Sequence, residues 1–243
     1  MFQRNKPLAA KFSIKTTSSF FLVLYSSVIL FFTLTCFSAD PDPLQDICVA
    51  DLKSKIKVNG YPCKPQSQAT SEDFFYSGLV NGASTDTPFG FGVKRGDVKN
   101  FPGLNTQGLS VNRVDIAPGG VIPFHVHPRA SEANFVLKGE CLVGFITTPD
   151  TDTVLYSKVR KVGELSIIPK GLVHIVVNVG WEKAVLIAIF NSQLPGIAEI
   201  PNNLFNSTPP IPDYILAKNF RVDEKIIATI KSKFRNQNKI AKI

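Results

Sequence analysis

PFHVHPRASE, residues 123–132, carries two of the three histidines in a chain of 243 residues. Side chains at i and i+2 of a strand point to one face, so His125 and His127 project side by side. Pro128 has no amide hydrogen and interrupts a ladder, which leaves PRAS (128–131) to turn the chain. Glu132 then starts the next strand, beside the pair. His174 lies in GLVHIVVN (171–178), which also reads as a strand entry. Two imidazoles from one strand, one from elsewhere and one carboxylate make a three-histidine, one-glutamate set. Neutral nitrogens with one anionic oxygen suit first-row divalent metals: manganese, iron, zinc, nickel or copper. Four protein ligands on an octahedral ion leave two adjacent positions for water, dioxygen or a small chelating acid. An isolated H-x-H pair in a strand ordinarily just faces solvent, but here every histidine of the chain fits one site.

Around this stretch the strand signals crowd together. LSVNRVDIAP (109–118), NFVLKGECLVGFITTP (134–149), TVLYSKVRKV (153–162), ELSIIP (164–169), VHIVVNV (173–179) and KAVLIAIFNSQ (183–193) are short and rich in valine, isoleucine and phenylalanine. Gly, Pro, Asn or Asp bound them. Many short strands without helical patterns between them predict an all-β sandwich or barrel, of which the jelly roll is one solution. After STPPIPDYILAKNF (207–220) apolar residues recur at three- and four-residue spacing, which predicts two short amphipathic helices. Pro212 and Asp213 open the first and Asp223 the second. Arg95-Gly96-Asp97 reads as a polar turn.

The N-terminus holds Arg4, Lys6, Lys11 and Lys15 and no acid before Asp40. An apolar run over 20–37 follows, then Ser38 and Ala39. This is the pattern of a secretory signal peptide; the run is also about long enough for a membrane anchor, but the small-residue exit favours removal. Residues 1–39 are therefore set apart, with Cys36. The whole chain has net charge +8 from 27 basic and 19 acidic residues. Losing four positive charges leaves 23 basic residues against 19 acidic and a net of +4. Such a mildly basic secreted surface is compatible with acidic polysaccharide, although an ordinary solvated surface is the favoured reading, and no nucleic-acid motif is present. After the leader goes, no membrane segment is expected. Residues 40–71 read as an outer arm in which secretion permits Cys48 and Cys63 to pair; closing that loop stabilises by about 3 kcal/mol in the chain-entropy model. Residues 72–234 form the barrel with its helices, and 235–243 a basic tail. Cys141 sits in an alternating strand and reads as a buried free thiol. NST at 206–208 makes Asn206 an N-glycosylation candidate, with Pro209 just beyond it.

The spacing is also that of a known superfamily. One stretch reads Gly119-x5-His125-x-His127-x4-Glu132-x6-Gly139, the other Gly163-x5-Pro169-x-Gly171-x2-His174-x3-Asn178. Both match the two cupin signature motifs at all ten positions. DPDPLQDICVADL (40–52), NGYPCK (59–64), GLNTQGLSVNRVDIAPGG (103–120), FNSQLPGIAEI (190–200) and STPPIPDYILAK (207–218) further resemble plant germin-like proteins, from Asp40 to about Phe234. The resemblance implies a cupin jelly-roll β-barrel with short C-terminal α-helices. It implies Mn2+ held by His125, His127, Glu132 and His174, although the ligand set alone equally admits iron or zinc. It further implies a Cys48–Cys63 disulfide, and a homohexamer, a trimer of dimers, in the apoplast.

Members that oxidise oxalate hold it with two asparagines. One matches Asn112; the other falls at Ile122, in VIPFHVH, with Phe124 ahead of His125. An apolar side chain cannot hydrogen-bond a carboxylate, and a desolvated dianion lacking a partner binds worse by several kcal/mol. Asn112 is left either as a holder of water or another ligand, or as a satisfied inward-facing strand amide. Three functions follow for a secreted germin-like protein: a manganese-dependent superoxide dismutase with a role in plant defence, a non-enzymatic metal- or ligand-binding or structural wall protein, and, disfavoured by Ile122, an oxalate oxidase.

Overall fold

The computed structural model describes residues 45–240 except 58, 150 and 151, and, nearer the start, Tyr25 alone. The expected leader therefore lies, Tyr25 aside, outside the described residues, as does Cys36. Ten strands follow in chain order: β1 (Phe91–Gly96), β2 (Ser110–Ile116), β3 (Val121–Val126), β4 (Glu132–Lys138), β5 (Cys141–Ile146), β6 (Leu155–Arg160), β7 (Leu165–Ile168), β8 (Val173–Asn178), β9 (Ala184–Phe190) and β10 (Ala198–Glu199). They form two five-stranded antiparallel sheets, β1-β2-β9-β4-β7 and β10-β3-β8-β5-β6. Alternate residues of both turn inward and share one apolar core, including Val114, Ile116, Ile122, Val136, Val143, Val176 and Leu186. This is the expected mostly-β cupin architecture.

β4 and β5 show how the motif residues shape it. Gly139 links the two strands at φ +77°, and a Cβ there would stand 2.9 Å from the Ala184 backbone, so only glycine fits. Gly171, at φ +78°, follows Pro169 and Lys170 in the turn that enters β8. Its N–H donates to the His127 carbonyl, which ties the turn to the H-x-H strand. Cys141 is fully buried and unpaired, and burial pushes its thiol pKa up to about 12.

The N-terminal arm lies against the sheets. Cys48 and Cys63 are joined, with Cα atoms 4.7 Å apart. Ala50 bridges Cys63, and its N–H donates to the Pro102 carbonyl. Asn105, buried beneath, donates to the Tyr61 carbonyl.

Three helices close the chain: α1 (Ile200–Phe205), α2 (Asp213–Phe220) and α3 (Glu224–Ile240). Pro212 precedes α2 as anticipated, and Asp223 accepts from the Lys225 N–H at the start of α3. The two helices expected after residue 207 are α2 and α3; α1 lies ahead of that stretch and was not anticipated, and α3, of 17 residues, continues through 235–240. Leu216, Ala217 and Ile227 form a second small core with Leu204, Phe205 and Ile211. Arg95-Gly96-Asp97 is also not a polar surface turn. Arg95 and Gly96 end β1, and Asp97 is buried, accepting from the Lys99 N–H and the Asn100 amide.

Candidate metal centre

His125 on β3 pairs directly with His174 on β8, so the two rings meet with centroids 4.0 Å apart. His127 lies just past the end of β3, and Glu132 opens β4 in the facing sheet. All four are buried, at 7% exposure or less. One ligand atom from each falls within 4.8 Å of the others. Glu132 Oε2 lies 2.9 Å from His174 Nε2 and 3.1 Å from His127 Nε2. The three histidines and the glutamate singled out in the sequence thus converge.

The surroundings fix the protonation of the rings. His125 Nδ1 faces the Pro123 carbonyl at 2.8 Å, His174 Nδ1 the Leu172 carbonyl at 2.9 Å, and His127 Nδ1 the Gly196 carbonyl. A carbonyl can only accept, so each Nδ1 carries the proton and donates. Each Nε2 is thereby turned toward the centre; a proton there hydrogen-bonds Glu132, as His127 and His174 do, and a cation replaces that proton by accepting the lone pair. The donor set therefore fits a first-row divalent ion, with the three carbonyls orienting the ligands. Desolvation, followed by the neighbouring His174, lowers the His125 pKa to about 4, so its ring is neutral at physiological pH. Burial alone would raise Glu132, but hydrogen bonds from His127 and His174 outweigh it and bring the carboxyl to about 2.

The cluster faces a cavity of about 230 Å³. Phe91, Val93, Val114, Ile122, Ala188 and Phe190 form apolar walls, and Phe190 packs edge-on to His127 with centroids 4.7 Å apart. Asn112 lines the cavity, with its Oδ1 buried and without a protein partner, so it is not the satisfied strand amide weighed above. Ile122 lines it too. Phe124 does not: it is 40% exposed and absent from the lining. The pairing register shifts between Ile122 and His125, where three steps on β3 match two on β8. That bulge lets Ile122 and His125 both face inward, while Phe124, next to His125, points out by ordinary alternation. Arg95, Lys99 and Arg129 also line the cavity; the accompanying Asp97 already accepts two hydrogen bonds. Three cations against Asp97 and Glu132 leave the lining at a net +1. Sequence reading missed them as lining residues because none belongs to an apolar pattern: Arg95 is near the end of β1, Lys99 follows that strand and Arg129 sits in the turn before β4.

A sequence profile of the cupin family matches residues 78–228. Germin-like protein subfamily T member 2 of Arabidopsis thaliana is 52% identical, over 85% of this chain and 92% of its own. The chain belongs to the germin-like cupins. Oxalate oxidase 2 of Hordeum vulgare is 50% identical, over 81% of this chain and 88% of its own. Among solved structures, an oxalate oxidase in complex with the substrate analogue glycolate superposes with TM-score 0.79 at 50% identity, over 80% of this chain and 98% of the other. This germin-like cupin thus has both germin-like and oxalate oxidase relatives, and it shares with its family a buried three-histidine, one-glutamate metal-binding group.

Proposed function

We propose that this germin-like protein is a secreted, apoplastic manganese protein that dismutes superoxide, serves plant defence and does not oxidise oxalate. The observation that carries the reading is the set of four buried ligand atoms within 4.8 Å of one another, opening on a small cavity with a cationic lining. When bound, manganese supplies one-electron chemistry, in which one superoxide is oxidised to dioxygen and a second is reduced, with two protons, to hydrogen peroxide. His125, His127, Glu132 and His174 would hold the ion, and the carbonyls of Pro123, Gly196 and Leu172 keep the rings turned inward. Arg95, Lys99 and Arg129 draw a small anion to the opening. Ile122, in the cavity wall, supports the exclusion of oxalate, because the dianion meets a buried apolar surface where a hydrogen-bond donor is needed. Homohexamer formation and glycosylation at Asn206 belong to the same reading. The Cys48–Cys63 bridge is consistent with secretion.

Elemental analysis of the purified protein, paired with assays of superoxide decay and of oxalate-dependent peroxide, tests it. The expected result is manganese near one per chain and superoxide decay that disappears in His174→Ala, with no peroxide from oxalate. Manganese without either activity would leave a non-enzymatic binding protein. Zinc, which does not change oxidation state, would end the dismutase reading.

A further inference from the structure

Four buried side-chain atoms among the described residues have no protein hydrogen-bond partner, and three of them stand in one cross-strand row. Asn112 on β2 pairs with Ala188 on β9, Ala188 with Asn134 on β4, and Asn134 with Ser166 on β7. The unpartnered atoms are Asn112 Oδ1, Asn134 Nδ2 and Ser166 Oγ: an acceptor, a donor and a hydroxyl that serves as either. Asn134 is only 2% exposed and shares the inward face of β4 with Glu132 and Val136. Ala188 places a single methyl between the two amides.

The ends of the row differ in what they reach. Asn112 and Ala188 line the cavity that the metal ligands face. Ser166 lines a separate cleft between the β5–β6 hairpin and β7, with Val143, Tyr156 and Ile168. Buried polar atoms are rarely left unpaired, and internal water is what ordinarily satisfies them. A donor, an acceptor and a hydroxyl along one line suit a file of waters better than an organic ligand, which would have to match all three at once. We propose that Asn112, Asn134 and Ser166 hold a file of internal waters that joins the β6–β7 cleft to the metal cavity, giving the site a route for solvent protons that bypasses the cationic opening. Asn134 is a positioning residue in this scheme: its amide orients water and itself transfers no proton. The route rests on the metal-binding part of the proposed function and not on dismutation.

Near-atomic-resolution crystal structures of the wild type and of Asn134→Leu test the file. The wild type is expected to show waters within hydrogen-bond distance of all three atoms, and Asn134→Leu, which is of similar volume, to lose those beside residues 134 and 166. Absence of water along the row in the wild type overturns the proposal. The route is read separately as the enhancement of bulk-water proton relaxation by the manganese-loaded protein. That enhancement should fall in Asn134→Leu and in Ser166→Val at unchanged manganese content. Equal enhancement in all three proteins would refute the route even with the waters present. A wild type that binds no manganese would count against the proposed function and also remove the route, whereas the file itself is still read from the metal-free crystal.

Discussion

His125 and Glu132 link the chemistry of the centre to its stability. His125 is held near 4 against an ordinary 6.5, first by desolvation, and Glu132 near 2 against 4.5, because its bonds to His127 and His174 outweigh burial. Both are depressed in the folded state. Each therefore contributes stability that is complete above its unfolded value and lost as pH falls through the folded one. For His125 that window runs from pH 6.5 to about 4, and its loss amounts to about 3 kcal/mol; Glu132 adds a further loss below pH 4.5. Calorimetry of metal-free protein should show the melting temperature falling across pH 6.5 to 4, and His125→Asn should flatten that upper part. A melting temperature that holds steady over this range would show that the ring is not buried as a neutral group. With the ion in place, the same protons compete for its ligands, so acid should also release metal.

Lys231 belongs to the scale of elements. It is 4% exposed on α3, and its ammonium donates to the Ile211 carbonyl and to Asp213 at the start of α2. This contact locks α3 to the proline-rich entry of α2, beside the small core of Leu216, Ala217 and Ile227. Lys231→Ala leaves the carbonyl unpaired and Asp213 without its cation; Asp213 keeps partial access to water, so the cost should be about 1–3 kcal/mol. Denaturant unfolding measures it, and a change within error would show that solvent replaces the contact. The lysine was not legible beforehand, because an i,i+3/i,i+4 pattern reports apolar faces and counts lysine as solvent-facing. The same limit runs through the fold. Alternation and turn residues identified β2 and β4 through β9, and the H-x-H pair, the strand start at Glu132 and the remaining histidine, His174, named the four residues that converge. α1 escaped because six residues beginning IPNN complete too few turns for a period to emerge. Phe124, next to inward-facing His125, turns outward by alternation alone, and it was set beside the pocket only by the family context ahead of the H-x-H pair; what alternation could not give is the inward turn of Ile122, because the bulge is set by pairing with β8, which the local sequence does not encode. Ile122 was placed correctly by its match to a family position, since strict alternation from His125 would have turned it outward.

At the scale of the molecule, the surface is not what a lone chain would be expected to present. β6 and β7 are each an edge strand of their sheet, and they meet at the cleft lined by Tyr156, Leu165 and Ile167. Leu155, Tyr156, Leu165 and Ile167 are each more than half exposed there, and Val162 stands between the strands at 62%. A monomer rarely leaves adjoining large apolar side chains and two open strand edges in water together, because both invite association. Covering this face with another copy would remove both liabilities, which supports the proposed hexamer and assigns the β6–β7 edge to one of its contacts; the cleft at Ser166 would then open on that contact, and solvent would reach it through interface water. Sedimentation of the purified protein should then give a mass near six chains. Ile167→Lys combined with Leu165→Glu should yield smaller species that still bind metal, since neither side chain points toward the ligands. A wild type that sediments as a single chain would refute both the assembly and this use of the edge. A hexamer that survives the double substitution would keep the assembly and place its contacts elsewhere, with the α1–α3 helices and their small core next to be tested.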